Sequence, residues 1–222
     1  MATVTGYQLP ATGYMKLTLR PLLVLICVGA LVGVWALRSN APRAARPTSG
    51  QGIVVFGDSL VAGRGASAGQ DFVSVLSRRL GTTIVNAGQS GDTTGAALAR
   101  LERDVLALNP RIVVVLLGGN DYLRRVPITQ TFSNLDSIVN QVRERGAAVV
   151  LVGVAVGLMS DPYREEYEAL AERTSAGLVP DILDGIIGHA SLMSDSIHPN
   201  ARGYAMMAAR LEPILRDLTR PE

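Results

Sequence analysis

The sequence predicts an α/β domain of three layers, a parallel β-sheet covered by helices on both faces, with an apolar helix ahead of it. Three observations carry that expectation. From residue 53 onward, short apolar runs alternate with stretches whose apolar residues recur at helical spacing. A chain of 222 residues has room for one sizeable core plus an appendage. Hydrophobic residues make up 48% and charged residues 18%, the balance of a folded chain carrying an apolar terminal segment.

The elements follow in order. Strands are expected at 53–56, 83–85, 112–117 and 148–154, with a weaker one at 178–183. Helices are expected at 71–80, 94–108, 128–145, 163–175 and 199–217. In the second helix, Leu98, Leu101, Val105 and Leu108 recur at spacings of three and four, which leaves Arg100, Glu102 and Arg103 for its outer face. Pro110 stops that helix, and Gly146 closes the third after the charged turn Arg143, Glu144 and Arg145. The chain divides into a tail and apolar segment at 1–37, a flexible linker at 38–51 and the domain at 52–222. It shows no internal repeat.

Residues 21–37 read PLLVLICVGALVGVWAL without a charge, at the short edge of what a bilayer-spanning helix needs. As a signal peptide, the segment has Lys16 and Arg20 as its basic flank and Val34 and Ala36 as small residues before a cleavage site. As a retained anchor, it leads into Arg38, Arg43 and Arg46 after a long basic-flanked start, and this reading is preferred. Either way the domain is expected outside the cytoplasm, anchored in the inner membrane or secreted. Cys27, the single cysteine, lies mid-segment behind the bulky Ile26, which does not suit a lipoprotein signal. It excludes an internal disulfide, and no Cys/His cluster has zinc-ligand spacing. A net charge of +2, from 21 Lys+Arg against 19 Asp+Glu, gives no nucleic-acid surface. No obligate protein partner is expected.

Ligands of such sheets bind beyond the carboxyl ends of the strands, where loops converge and helix N-termini present free N–H groups. The first strand exits into Gly57-Asp58-Ser59-Leu60, the second into Asn86-Ala87-Gly88-Gln89-Ser90-Gly91-Asp92, and the third into Gly118-Gly119-Asn120-Asp121. Ahead of the last helix stands Asp195-Ser196-Ile197-His198-Pro199. A serine hydroxyl needs a base to become a nucleophile at neutral pH, and histidine suits that task. Of the two histidines, His189 has no acid at a useful offset, whereas His198 has Asp195 three residues before it. That spacing lets a carboxylate reach Nδ1–H while Nε2 faces Ser59. Pro199 is then expected to start the last helix. The Ser59 and Gly91 backbone N–H groups and the Asn120 side-chain amide make a set of donors for a tetrahedral oxyanion.

These clusters, in this order, resemble the four conserved blocks of the SGNH (GDSL) hydrolases over roughly residues 52–218. The resemblance implies a flavodoxin-like sheet, no metal and no organic cofactor. It makes Ser59 the nucleophile, Gly91 and Asn120 oxyanion donors with the Ser59 amide, and Asp195 and His198 the acid and base. The N-A-x-x-S-G-D-T and G-G-N-D forms are most similar to the bacterial thioesterase, lysophospholipase and arylesterase subgroup. Hydrolysis of small acyl esters, thioesters or lysophospholipids is therefore expected. Deacetylation of an envelope polysaccharide, or a non-catalytic envelope-binding module of the same fold, are the alternatives.

Other residues carry smaller expectations. Asp58 is expected to bond loop N–H groups, and Asp92 and Asp121 to cap or turn the chain. Arg64, Tyr122 and Arg124 stand near the rim. The loop 155–162, with Met159, is apolar enough to line an acyl pocket. Gly63-Arg64-Gly65-Ala66-Ser67-Ala68 fits a dinucleotide-binding pattern, but it starts several residues past the strand, and Asn86 stands where an acid would hold ribose.

Overall fold

The apolar runs form five strands in the computed structural model, which describes residues 44–155 and 161–220. They are β1 (Ile53–Gly57), β2 (Ile84–Gly88), β3 (Ile112–Leu116), β4 (Ala148–Val152) and β5 (Gly177–Val179). All pair in parallel, in the spatial order β2-β1-β3-β4-β5. That is the flavodoxin-like order, and it reverses direction between β1 and β3. The crevice beyond the carboxyl ends of those two strands is where such a sheet holds its ligand.

Side chains alternate across an extended strand, so β1 feeds two cores at once. Ile53 and Val55 join Val114 and Val150 beneath helices α1 (Phe72–Leu80) and α6 (Ala201–Thr219). Val54 and Phe56 join Val113, Val115 and Leu151 beneath α2 (Thr94–Asp104), α4 (Ile128–Glu144) and α5 (Pro162–Thr174). The helices start where short polar side chains accept their free N–H groups: Asp71 for α1, Thr93 for α2, Asp161 for α5 and Asn200 for α6.

Several boundaries differ from expectation for identifiable reasons. Strand β2 runs on to Gly88, because Asn86, Ala87 and Gly88 pair with Val55, Phe56 and Gly57. Helix α2 stops at Asp104: Val105 turns to φ −128°, ψ −63°, a short 3-10 turn follows at Leu106–Leu108, and Leu108 ends up exposed. Strand β5 is shorter than expected and ends at Val179. Pro199 lies outside α6, and Asn200 caps the helix by accepting from the N–H groups of Arg202 and Gly203. A short helix, α3 (Gly119–Leu123), is too brief to leave a periodic pattern in the sequence.

Residues 44–51, within the expected linker, are bonded along the amino-terminal edge of the sheet. Ala45 N–H donates to Ser175 O at 2.8 Å, Thr48 N–H to Gly146 O at 2.8 Å and Gln51 N–H to Asn109 O at 2.9 Å. Arg46 donates to Asp217 O at 3.0 Å. The expected apolar helix at 21–37 and the first part of the linker lie outside the described residues. No helix among the described residues is long and apolar enough to cross a membrane.

Candidate active site

Beyond β1 the chain coils tightly at the sheet's switch point. Asp58 Oδ1 accepts the Leu60 N–H at 2.9 Å, Asp58 O accepts from Ala62 at 2.9 Å, and Ser59 O accepts from Arg64 at 3.0 Å. The next residue, Gly65, has φ 94°, and a Cβ there would run into Ser194 Oγ and Pro199 O. Only glycine gives both the conformation and the close approach. Gly65, the second glycine of the dinucleotide-like pattern, thus brings the nucleophile loop against the turn that carries His198. Tyr204 Oη, donating to Arg64 O at 2.7 Å, closes the same junction from α6.

In that turn Asp195 Oδ1 accepts the N–H groups of Ile197 at 2.9 Å and His198 at 2.8 Å. The His198 N–H comes from the very residue whose ring the carboxylate orients. His198 Nδ1 lies 2.8 Å from Asp195 Oδ2, and its Nε2 lies 3.0 Å from Ser59 Oγ. With Nδ1–H donated to the carboxylate, Nε2 is left to accept the serine proton. Ser194 N–H donates to His198 O at 2.9 Å, and Asn200 Nδ2 to Ser191 O at 3.0 Å, so the turn is braced from both ends. Backbone N–H donation from Ile197, then the bonds from His198, hold the Asp195 carboxyl down at about 2 although it is exposed. The His198 side chain, by contrast, is buried.

Gly91, at φ 88°, lies in the loop between β2 and α2, and its carbonyl accepts from Arg124 Nη2 at 2.8 Å. Among the described residues, neither the Ser59 N–H nor the Gly91 N–H has a protein acceptor. Asn120, the third expected donor, sits on α3 with both amide hydrogens engaged. Its Nδ2 donates to Asp58 Oδ2 at 3.1 Å and to Asp92 O at 3.0 Å.

A hydroxyl, an imidazole and a carboxylate linked in series, beside the unpaired Ser59 backbone N–H, are the parts of an acyl-transfer site. Comparison with known proteins fixes the family. The pattern of the GDSL-like lipase/acylhydrolase family matches residues 55–206. The chain belongs to the GDSL (SGNH) hydrolases. It is 34% identical over 179 residues to esterase TesA of Pseudomonas aeruginosa, covering 76% of this chain and 89% of that protein. The crystal structure of TesA superposes with a TM-score of 0.71, over 76% of this chain and 99% of that one, at 34% identity. Thioesterase 1/protease 1/lysophospholipase L1 of Escherichia coli is 30% identical over 182 residues, 77% of this chain and 88% of its own length. An arylesterase of Vibrio mimicus is 32% identical over 167 residues, 70% and 84% of the two chains.

This hydrolase buries a charge where the sequence places a solvated one. Arg100 is 7% exposed rather than outward-facing. Its Nε donates to Asp92 Oδ2 at 2.6 Å, Nη1 to Ala87 O and Asp104 Oδ2 at 3.0 and 3.1 Å, and Nη2 to Gly57 O at 3.0 Å. The guanidinium lies 4.4 Å from the centre of the Phe56 ring. One fork thus ties the last residues of β1 and β2 to the loop that carries Gly91. Asp121 caps at a distance, its carboxylate accepting the Thr94 N–H at 2.9 Å and the Thr94 hydroxyl at 2.6 Å across the rim. Tyr167 Oη donates to Leu117 O just ahead of α3, and Phe132 packs edge-on against both Tyr167 and Tyr163.

The site opens into a cavity of about 240 Å³. Ser59, Asn120, His198 and Asp58 form its polar end; Leu60, Val154, Ala155 and Leu183 line the rest, with Tyr122, Leu123, Ile187 and Ile197 exposed at the mouth. Ala155 opens the loop expected to line an acyl pocket, and Val154, expected at the end of the fourth strand, stands just before it; Met159 lies outside the described residues. The sequence assigns neither Ile187 nor Ile197 to the cavity mouth, since nothing local marks an apolar residue as belonging to a rim. Arg64 is exposed beside the nucleophile loop, and His189 stands apart from the cavity lining.

Proposed function

We propose that the chain hydrolyses acyl esters and thioesters, lysophospholipids included, through an acyl-enzyme on Ser59. The observation that carries this reading is the 3.0 Å contact between His198 Nε2 and Ser59 Oγ. As Ser59 Oγ attacks the acyl carbon, its proton passes to Nε2, and Asp195 stabilises the resulting imidazolium. The carbonyl oxygen becomes an oxyanion held by the Ser59 and Gly91 N–H groups and the Asn120 amide. Collapse of the tetrahedral intermediate expels the alcohol or thiol, which carries away the proton from His198 and leaves Nε2 free again. Water, deprotonated by the same Nε2, then releases the acyl group and restores Ser59.

An apolar cavity behind a single polar end suits an acyl chain, and the names of the relatives point to esters, thioesters and lysophospholipids. In this reading residues 1–37 tether the domain at 52–222 to the bacterial inner membrane, with the active site outside the cytoplasm. The uncharged segment at 21–37 supports the tether; Lys16 and Arg20 before it nearly balance Arg38, Arg43 and Arg46 after it, so the side of the membrane is inferred from the activity and not from the flanks. Membrane fractionation with N-terminal sequencing tests it: the intact terminus in the membrane pellet is expected, and a soluble chain without residues 1–36 sinks the anchor.

For the chemistry, hydrolysis of p-nitrophenyl esters of increasing acyl length is measured in Ser59→Ala. A loss of several orders of magnitude with unchanged thermal unfolding is expected. Activity near that of the parent chain moves the nucleophile elsewhere.

A further inference from the structure

A primary amide has two N–H hydrogens, and in the resting enzyme both of those on Asn120 are already given away. If Asn120 holds the oxyanion, as the proposed mechanism requires and as this inference assumes, one acceptor has to be released. The two acceptors are not equivalent. Asp92 O belongs to a loop fastened by the buried Arg100–Asp92 pair and, one residue earlier, by Arg124 on Gly91 O. Asp58 Oδ2 stands in the cavity wall with Ser59 and Asn120, next to the nucleophile in the chain. Its other oxygen stays on the Leu60 N–H whatever Oδ2 does.

We propose that Asp58 is a positioning residue that holds the Asn120 amide at the cavity and reserves one of its N–H groups for the transition state. The neutral carbonyl of an ester is a weak acceptor and does not displace a carboxylate from that N–H. A carbonyl oxygen carrying a developing full charge does. The donor is therefore withheld from bound substrate and supplied to the tetrahedral oxyanion, which is the differential binding that raises kcat without tightening KM. No covalent bond changes; one hydrogen bond is exchanged for another. The setting is costly in a way that a simple turn-forming role does not require. Burial pushes the Asp58 carboxyl up to about 6, against the pull of the Leu60 N–H and His198, with Asp92 and Asp121 adding to the push. A neutral Asn at this position would close the same turn onto Leu60 without that burden.

The test is a double-mutant cycle of Asp58→Asn and Asn120→Ala, read as kcat and KM on a p-nitrophenyl ester, with the thermal unfolding of each variant. Asn120→Ala alone is expected to lower kcat about 10²–10³-fold, as loss of an oxyanion donor does. Asp58→Asn keeps an acceptor for Leu60 but turns an N–H donor toward Asn120. It is expected to lower kcat about tenfold or more with KM within about twofold, and to cost nothing further in the Asn120→Ala background. Unchanged kcat in Asn120→Ala removes Asn120 from the oxyanion site, and the present inference with it. A normal effect of Asn120→Ala combined with parent-like kcat in Asp58→Asn, or with fully additive losses, overturns the role of Asp58 alone.

The unmutated chain gives a second reading that does not depend on a variant folding. A crystal structure of the enzyme phosphonylated on Ser59 is expected to show Asn120 Nδ2 on the phosphonyl oxygen and withdrawn from Asp58 Oδ2. An Asp58–Asn120 bond unchanged from 3.1 Å, with the phosphonyl oxygen held only by backbone N–H groups, contradicts the exchange.

Discussion

Two carboxylates serve the same catalytic rim and live under opposite electrostatics. Asp195 is exposed, gathers two backbone N–H groups and an imidazole from residues 197 and 198, and is held down at about 2. Asp58 is 4% exposed, sits among Asp92 and Asp121, and is pushed up to about 6. The difference extends to the regions around them. The acid–base turn at 194–200 is made almost entirely of local bonds and reaches the nucleophile through one close approach at Gly65. The oxyanion side is a buried network reaching from β1 through the Arg100 fork to α3, with partners far apart in sequence. A local turn can be carried by a five-residue motif; a distributed network depends on the whole sheet being in register.

Asp195→Asn probes the local side hardest. An amide still accepts the Ile197 and His198 N–H groups, but its own N–H faces Nδ1 and selects the wrong imidazole tautomer. A loss of about 10³–10⁴ in kcat with little change in unfolding temperature is expected. If the variant instead unfolds easily, the turn is structural first and the comparison fails. On the distributed side the larger effect is expected on stability. Arg100→Met leaves the Asp92 carboxylate buried without its partner, and denaturant unfolding is expected to register a loss of about 3–5 kcal/mol, with activity falling in the fraction that remains folded. A loss under about 1 kcal/mol contradicts the clamp.

The same contrast explains what the sequence disclosed. Ser59, Asp195 and His198 were legible because local chain geometry presents them, a strand exit in one case and a tight turn in the other. The alternating strands were legible from their continuous Val and Ile runs, and the parallel order followed from the helices between them. Arg100 was not legible. It stands at a helical position flanked by Glu102 and Arg103, and its burial depends on Asp92, Ala87 and Gly57, which only the folded sheet brings together. The double commitment of Asn120 was hidden for the same reason, being settled by residues 28 and 62 positions away. The docking of residues 44–51 was likewise invisible, because its bonds are backbone to backbone and leave no mark on composition.

Smaller effects sharpen the picture further. Ile187→Ser at the cavity mouth is expected to lower kcat/KM for an octanoyl ester about three- to tenfold while leaving the acetyl ester unchanged, as loss of contact with one or two methylenes would. Equal effects on both esters would place Ile187 outside the acyl path. The two carboxylates also divide the pH dependence of stability. Asp195, held below its ordinary 3.8, contributes stability that is present above about pH 4 and lost as the pH falls toward 2. Asp58, held above 3.8, binds its proton more tightly in the folded state, so stability falls as the pH rises from about 4 through 6. Urea midpoints measured across that range are expected to rise and then fall, with Asp195→Asn flattening the lower limb and Asp58→Asn the upper.

All of this presupposes that Ser59 is the residue His198 activates. Labelling the folded chain with a serine-reactive fluorophosphonate, then mapping the adduct by peptide mass spectrometry, tests that most directly. The account predicts a single adduct on Ser59, lost in His198→Ala. An adduct on any other serine, or none on a chain that hydrolyses esters, would contradict it.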